Sequence, residues 1–203
     1  MSSLLPVLAL IPFFALGMFP SGKLIARHFG VDIATVGSGN VGATNVARSV
    51  GKRAGVLTLG SDLLKGFIAT AFGLWFGNLE FASWAALAAV LGHCFPIWPL
   101  RGGKGVATIL GSFLPLSPAA CGVSVLTFLV ILSLKRVVSL ASVIAILFAP
   151  LFFLLLGGPS STFLPFSIAC LVVTYRHREN LERLSLGTEE KFSFSRQELE
   201  KFE

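Results

Sequence analysis

The chain has 203 residues, of which 54% are hydrophobic and 13% are charged, and its formal net charge is +6. Soluble domains are about 45–50% apolar and about 25% charged, so this composition excludes an ordinary soluble protein and is typical of a membrane protein. In a soluble domain the positive charge would favour nucleic-acid binding, but the placement of the charges along this chain favours another explanation.

Apolar segments recur along the chain at about the length of a membrane-spanning helix, roughly 17–25 residues. We predict an all-α polytopic membrane protein, one domain over residues 1–203, with about seven transmembrane helices. No Lys or Arg precedes the first apolar run, so we expect no cleavable signal peptide. The predicted spans lie near residues 4–20, 54–77, 81–98, 106–117, 119–134, 137–157 and 162–175.

The fourth predicted span is short, because Pro115 and Pro118 interrupt the helix that would otherwise continue from it. At ~1.5 Å per residue, the piece at 106–117 is only about 18 Å long. Two short crossings and a re-entrant hairpin are both compatible with the sequence. Either one returns the chain to the side from which it came.

The basic residues lie on one side of this topology. If the N-terminus is extracytoplasmic, the opposite side receives every basic cluster and the C-terminus, whereas the loop residues Asn78, Glu80 and 157–162 include no Lys or Arg. Lys and Arg are enriched in cytoplasmic loops, so we expect the basic face to be cytoplasmic. The basic clusters lie at residues 23–27, 48–53, 101–104, 135–136 and from 176 onward.

Four polar blocks remain between or beside the spans, and all are predicted to lie on the cytoplasmic side. This asymmetry indicates that the protein acts on that side. We number the blocks in chain order: block 1 at 37–48 (GSGNVGATNVAR), block 2 at 61–66 (SDLLKG), block 3 at 92–108 (GHCFPIWPLRGGKGVAT) and block 4 at 175–190 (YRHRENLERLSLGTEE).

Block 1 has the composition of an anion-binding loop. Glycines allow close approach of the backbone, successive N–H groups form a positive concavity, and Arg48 adds a planar fork suited to phosphate. A dinucleotide-binding loop is excluded because no βαβ unit surrounds the glycines. A tight surface turn with a solvated arginine is the alternative. The residues predicted to bind substrate here are Gly37, Gly39, Asn40, Thr44 and Asn45.

Block 3 contains Arg-Gly-Gly-Lys-Gly at 101–105, directly before Val106, where we expect a helix to begin. Free N–H groups at a helix start, access along glycines and flanking cations together favour phosphate binding. An ordinary basic loop, which needs the charges but not the glycines, is the alternative. The residues predicted to bind substrate here are Gly102, Gly103, Lys104 and Gly105.

Three further pairs or single residues are candidates for structure or chemistry. Asp62 and Lys65 share one face of the second span, where ionisable groups form a structural pair or mark a pathway. We predict a structural role for Asp62 and a substrate contact for Lys65. His177 and Asn180 also share one helical face, and histidine suits acid–base chemistry near neutral pH, although a polar helix exit is the alternative. His93 is as compatible with a packed histidine as with a functional one.

The sequence has no metal-ligand spacing and no nucleophile elbow, so we expect neither a metal nor a cofactor.

The four blocks, in this order over residues 37–190, resemble the acyl-phosphate:glycerol-3-phosphate acyltransferase family of bacterial membranes. The resemblance implies seven helices, a multi-pass location in the bacterial inner membrane, an extracytoplasmic N-terminus and a cytoplasmic active site.

The resemblance also implies the reaction, in which a fatty acyl group moves from acyl phosphate to the 1-hydroxyl of sn-glycerol 3-phosphate. The products are lysophosphatidic acid and phosphate, at the first step of phospholipid synthesis. The implied partners are the two substrates, membrane lipid and the enzyme that produces acyl phosphate, without nucleic acid. A transporter for an anionic solute is the rival interpretation, but transporters usually bind near the bilayer midplane.

Residue roles are implied by position in the family's motifs. Ser38 and Arg48 match a functional serine and arginine, residues 102–105 match the glycerol-phosphate loop, and His177 and Asn180 match a catalytic polar pair. Glu189 matches a structural glutamate. Two departures from the family pattern are Arg101, where lysine is common, and a segment after His93 that is one residue short.

Acyl phosphate is already activated, so no covalent intermediate is needed; either His177 or a substrate phosphate accepts the proton.

Overall fold

A computed structural model describes residues 5–192, with side chains from residue 7 onward. This part of the chain is all α-helical, without a strand, and the predicted fold class is confirmed to that extent. The helices are α1 (Leu5–Leu8), α2 (Ile11–Gly17), α3 (Ser21–His28), α4 (Ala43–Ser49), α5 (Lys52–Phe76), α6 (Leu79–Cys94), α7 (Val106–Leu116), α8 (Pro118–Lys135), α9 (Val138–Leu155), α10 (Ser160–Tyr175) and α11 (Arg178–Ser185).

Six of these helices coincide with predicted spans. By length and composition, α5, α8 and α9 are long and apolar enough to cross a membrane, and α6, α7 and α10 are shorter apolar helices. The number of crossings and their direction remain predictions. Polar caps mark two of the helix starts: Asn78 accepts a hydrogen bond from the Phe81 N–H (2.9 Å), and Ser117 accepts one from the Ala120 N–H (3.2 Å).

The first predicted span, near 4–20, is not one helix in the described residues. It is divided into α1 and α2, and Pro12 lies in the first turn of α2, where its missing N–H costs nothing. A separate helix, α3, follows directly and contains Lys23 and Arg27. Apolar composition alone did not reveal these two helix boundaries.

The predicted interruption between the spans at 106–117 and 119–134 is confirmed. Helix α7 ends at Leu116, Ser117 is extended, and α8 begins at Pro118. The Cys121 thiol lies 3.6 Å from the Leu110 carbonyl oxygen, which shows that α8 folds back beside α7. The chain therefore reverses direction at this break.

Small residues bring the central helices close together. A Cβ at Gly66 of α5 would collide with the Thr108 carbonyl of α7, and one at Gly111 of α7 would collide with the Leu63 carbonyl of α5. Ser112 donates a hydrogen bond to the Gly66 carbonyl across the same contact (3.3 Å). Close backbone approach of this kind is typical of helices packed in a membrane. This close contact places the first turns of α7 directly beside α5.

Several loops meet at one end of this helix bundle. The Ser139 hydroxyl, at the start of α9, donates a hydrogen bond to Glu189 (2.7 Å). The Phe192 N–H donates to the Arg136 carbonyl (2.5 Å). The α8–α9 turn therefore lies against the segment that follows α11, at the end of the bundle where α6 stops and α7 begins.

Candidate functional site

The four polar blocks are connected to one another by side-chain contacts. Blocks 1 and 4 are joined by an ion pair between Arg48 and Glu190. Blocks 3 and 4 are joined by Arg176, which donates hydrogen bonds to two carbonyls of the 101–105 loop. Blocks 2 and 3 meet where His93 Nδ1 lies 3.7 Å from an Asp62 carboxylate oxygen. Segments distant in sequence thus form one polar site.

The glycine loop of block 3 leads directly into α7. Gly105 has a left-handed backbone (φ +84°), α7 begins at Val106 as predicted, and the Ile109 N–H donates to the Gly105 carbonyl (2.9 Å). The N–H groups of the first helical turn have no partners within the helix, and the helix dipole makes this end positive. The loop therefore has the geometry that the phosphate hypothesis requires.

Lys104 adds a titratable cation to this loop. The pKa of Lys104 is lowered to about 8, chiefly by partial burial; the carboxylate of Glu189 opposes the shift, and the positive charges of Arg183 and Arg176 contribute to it. At neutral pH the ammonium is still mostly charged. A cation with this pKa can bind a phosphate at pH 7 and begins to lose its charge near pH 8.

The glycine loop of block 3 packs closely against the end of α6. The Gly103 N–H donates to the His93 carbonyl (3.1 Å), and a Cβ at Gly103 would collide with the His93 imidazole. A Cβ at Gly102 would collide with the Cys94 carbonyl. Packing against the end of α6 therefore requires glycine at both positions.

We expect Gly103→Ala to raise the KM for glycerol 3-phosphate more than it lowers the kcat, because the added Cβ displaces the loop from His93 without removing any reacting group. Steady-state kinetics with varied glycerol 3-phosphate measure both constants. Gly122→Ala is a suitable control, since a Cβ there meets open space. An unchanged KM with a collapsed kcat would instead assign the loop to the chemical step.

Block 1 consists of a loop at 37–42 and most of α4, and the buried Asn45 of α4 organises the loop. The Asn45 amide oxygen accepts from the Ser38 N–H (3.0 Å), and its amide nitrogen donates to the carbonyls of Val36 (3.2 Å) and Asn40 (2.9 Å). Its two amide hydrogens are thus used to shape the loop. A Cβ at Gly37, which has a positive φ of +57°, would collide with the same Asn45 side chain.

Three predicted residues of block 1 present their side chains to the surface. Ser38, Thr44 and Arg48 are exposed. Over residues 5–192 the Ser38 and Thr44 hydroxyls make no hydrogen bond, so both can contact a ligand. The Asn40 side chain already makes one hydrogen bond within the loop, in which its oxygen accepts from the Gly42 N–H (3.1 Å).

In block 4, His177 is buried with a defined tautomer. Its Nδ1 lies 2.8 Å from the Val173 carbonyl, which can only accept, so Nδ1 carries the hydrogen and Nε2 is the acceptor of the ring. The pKa of His177 is lowered to about 4, chiefly by burial; the Val173 hydrogen bond opposes the shift, and the positive charge of Lys104 contributes to it. The imidazole is therefore neutral at pH 7 and a weak base.

Glu189 connects α9 with α11. Its carboxylate accepts hydrogen bonds from Ser139 (2.7 Å), Asn180 (2.6 Å) and Arg183 (2.8 Å). Burial raises the pKa of Glu189, but these hydrogen bonds outweigh burial and the net pKa is below its usual value. Asn180 is thereby fixed, and its buried side-chain oxygen has no partner among the described residues.

Block 2 lies deeper in the bundle as a buried ion pair. Lys65 Nζ is 2.9 Å from the Asp62 carboxylate and also donates to the Phe19 carbonyl (3.3 Å), while Ser21 donates to the same Asp62 oxygen (2.6 Å). Both charged residues are about 4% exposed or less. Lys65 is therefore engaged within the protein, and its contact with substrate stays a prediction.

Four further residues, to which no sequence motif gave a role, lie in this site: Arg176, Arg183, Glu190 and Ser139. The three from block 4 stand in a charge-rich motif whose individual contacts cannot be read from spacing. Ser139 lies just after an ordinary loop, and no pattern in the sequence distinguishes it from other serines near helix starts.

The fold and the site define a multi-pass helical membrane protein with cationic, glycine-rich loops gathered at one end. A family model described as glycerol-3-phosphate acyltransferase matches residues 7–187, and the chain belongs to that family. The resemblance predicted from the four blocks is thereby confirmed.

Relatives and solved structures agree with this family. The glycerol-3-phosphate acyltransferase of Aquifex aeolicus is 45% identical over 88% of this chain and 95% of its own length. That of Rubrobacter xylanophilus is 42% identical over 93% of this chain and 96% of its own length. Two crystal structures of PlsY (YgiH), an integral membrane glycerol 3-phosphate acyltransferase, are also similar. The glycerol 3-phosphate form is 41% identical in sequence and superposes with a TM-score of 0.88, and the match covers 93% of this chain and 96% of that chain. The lysophosphatidic acid form is 40% identical, with a TM-score of 0.86 over 93% and 95% of the two chains.

Proposed function

We propose that this protein transfers a fatty acyl group from acyl phosphate to the 1-hydroxyl of sn-glycerol 3-phosphate and releases lysophosphatidic acid and phosphate. The observation that carries the proposal is the meeting of the glycine loop and Lys104 with blocks 1 and 4 at one end of the bundle. The solved relatives, in glycerol 3-phosphate and lysophosphatidic acid forms, support the acceptor and the product.

The roles follow from the groups available. The start of α7 and Lys104 bind the phosphate of glycerol 3-phosphate, because an anion is stabilised by free N–H groups at a helix start and by a nearby cation. Arg48 binds the phosphate of the donor through its planar fork, and the exposed Ser38 hydroxyl donates to the developing oxyanion. Two cations offset the repulsion between two phosphorylated ligands.

The chemical step needs no covalent enzyme intermediate, since acyl phosphate is a mixed anhydride with a good leaving group. The acceptor oxygen attacks the carbonyl carbon, the bond from that carbon to the phosphate oxygen breaks, and the acceptor's proton leaves. His177 Nε2 can accept this proton, but its pKa is about 4. A phosphate monoester with a second pKa near ~6 is the stronger base, which favours a substrate phosphate.

The experiment that tests the proposal compares acyl donors with purified protein in detergent. With glycerol 3-phosphate as acceptor, we expect acyl phosphate to give lysophosphatidic acid, detected by mass spectrometry, and acyl-CoA and acyl carrier protein to give none. Product from acyl-CoA alone would contradict the proposed donor. A transporter would instead accumulate labelled glycerol 3-phosphate inside protein-containing vesicles without forming any lipid product.

The pKa of Lys104 leads to a pH prediction. Its pKa of about 8 means that the ammonium loses its proton as the pH rises through 8, so phosphate binding weakens in that direction. We expect kcat/KM for glycerol 3-phosphate to fall above pH 8. In Lys104→Arg the fall should move to higher pH, because arginine stays protonated. An unchanged profile in Lys104→Arg would show that another group titrates.

We further propose that the site faces the cytoplasm of a bacterial cell, as the positive-inside bias suggests. Cysteines introduced at Glu80 or Ser160 should react with a membrane-impermeant maleimide added to intact cells, and one at Lys135 should react only after permeabilisation. The native Cys94, Cys121 and Cys170 are buried and give a low background. Labelling at Lys135 in intact cells would overturn the proposed orientation.

A further inference from the structure

Arg176 connects the end of α10 to the glycine loop. Its Nε donates to the Gly103 carbonyl (3.0 Å) and its Nη2 donates to the Gly102 carbonyl (3.1 Å), so one guanidinium engages two successive peptide groups. The guanidinium carbon lies 5.3 Å from the centre of the Phe95 ring, on which it stacks. The side chain is thus fixed from two directions.

These contacts determine where the loop's peptide groups point. In a trans peptide the N–H points opposite to the C=O. Because the Gly103 carbonyl faces Arg176, the Lys104 N–H points away from it, and within residues 5–192 that N–H has no backbone acceptor. On the preceding peptide, the Gly102 carbonyl faces Arg176 and the Gly103 N–H bonds to the His93 carbonyl.

We propose that Arg176 is a positioning residue that holds the 101–105 loop open for phosphate, by turning two carbonyl oxygens away from the site and the Lys104 N–H toward it. The inference rests on the proposed phosphate-binding role of this loop. Arg176 itself touches no reacting atom. A carbonyl that rotated toward a bound phosphate would repel it, so loss of the clamp weakens binding.

The geometry distinguishes a clamp from a nearby positive charge. Arginine offers two parallel N–H donors in a rigid plane, whereas lysine offers a point charge and cannot engage both carbonyls in this way. Arg176→Lys therefore keeps the charge and loses the clamp, and Arg176→Gln loses both. A purely electrostatic role predicts rescue by lysine; a clamp predicts none.

Cys94 provides a readout of loop position that does not depend on activity. The thiol is 1% exposed and lies beneath the loop: a Cβ built at Gly105 would be 2.8 Å from Cys94 Sγ. We expect Arg176→Gln and Arg176→Lys to accelerate alkylation of Cys94 by N-ethylmaleimide at least about tenfold, the factor expected for loss of one charged hydrogen bond. Peptide mass spectrometry separates Cys94 from Cys121, whose unchanged rate shows that the variant is folded.

The matched control is Arg178→Gln. Arg178 is exposed, lies 4.9 Å from the Tyr175 ring centre and pairs with Glu179 (3.5 Å), and it makes no contact with the loop among the described residues. We expect its Cys94 rate and its KM for glycerol 3-phosphate to stay within about twofold of the starting protein, a surface substitution's range. In both Arg176 variants that KM should rise about tenfold or more.

The clamp would be overturned if Arg176→Gln left the alkylation rate of Cys94 unchanged. It would also be overturned if Arg176→Lys had the same alkylation rate and the same KM for glycerol 3-phosphate as the starting protein. If Cys94 becomes reactive while the KM for glycerol 3-phosphate stays constant, the clamp holds the loop but the loop does not bind the acceptor, and the proposed function of the loop fails. The two failures are therefore distinguishable in one set of variants.

Discussion

Arg48→Lys is expected to lose at least about a hundredfold in kcat/KM for acyl phosphate. The lysine keeps the positive charge but loses the bidentate fork, and each hydrogen bond to a charged group contributes about 1.5–3 kcal/mol. Arg48 is 40% exposed and its ion pair with Glu190 lies at the surface, so we expect little change in stability. Initial-rate kinetics with varied acyl phosphate, alongside thermal unfolding, measure both effects.

Arg53→Lys is the matched control for this variant, because Arg53 is an exposed arginine in the first turn of α5. We expect its kinetics to remain close to those of the starting protein. Near-normal activity of Arg48→Lys would reduce Arg48 to a simple positive charge. The proposed direct contact with the donor phosphate would then be wrong.

Asp62→Leu should destabilise the protein by about 3–5 kcal/mol, since it leaves the Lys65 ammonium buried without its partner. Among residues 5–192, Lys65 would retain only its contact with the Phe19 carbonyl, and the Ser21 hydroxyl would lose its Asp62 acceptor. The effect should also extend to the site, because His93 lies between Asp62 and Gly103. Denaturant unfolding in detergent micelles measures the change in free energy of unfolding.

The double variant Asp62→Leu/Lys65→Met separates the ion pair from the cost of an unpaired charge. Replacing both members of a buried pair by apolar residues is often neutral or stabilising, so we expect the double variant to recover most of the lost stability. If the single variant were as stable as the starting protein, Lys65 would have to reach water in the folded state. The buried position of block 2 would then be incorrect.

The helices that position the site were largely predictable from apolar length and proline placement. The break between α7 and α8 falls at Ser117, directly before Pro118, whose preceding residue is disfavoured in a helical conformation. Pro115 did not end the helix, since it lies inside α7 one residue before the last. The region before residue 20 was not predictable in the same way. Its division into α1 and α2 occurs within a uniformly apolar segment, where composition gives no signal for a helix end.

The site was predictable in composition but not in its contacts. The glycine loop and the start of α7 follow from the local sequence, since Gly105 precedes a regular apolar run. By contrast, the pairing of Arg176 with Gly102 and Gly103 joins residues more than 70 positions apart. Asn45 was predicted as a substrate donor, but its donors satisfy nearby carbonyls, a choice set by the folded loop.

The central claim is that two phosphorylated ligands, held together by blocks 1, 3 and 4, react directly. The most direct measurement is intact-protein mass spectrometry after mixing purified protein with acyl phosphate alone, followed by addition of glycerol 3-phosphate. Direct transfer predicts no acylated protein in the first step and lysophosphatidic acid only in the second. A stable acyl ester on Ser38, consumed when glycerol 3-phosphate is added, would contradict direct transfer.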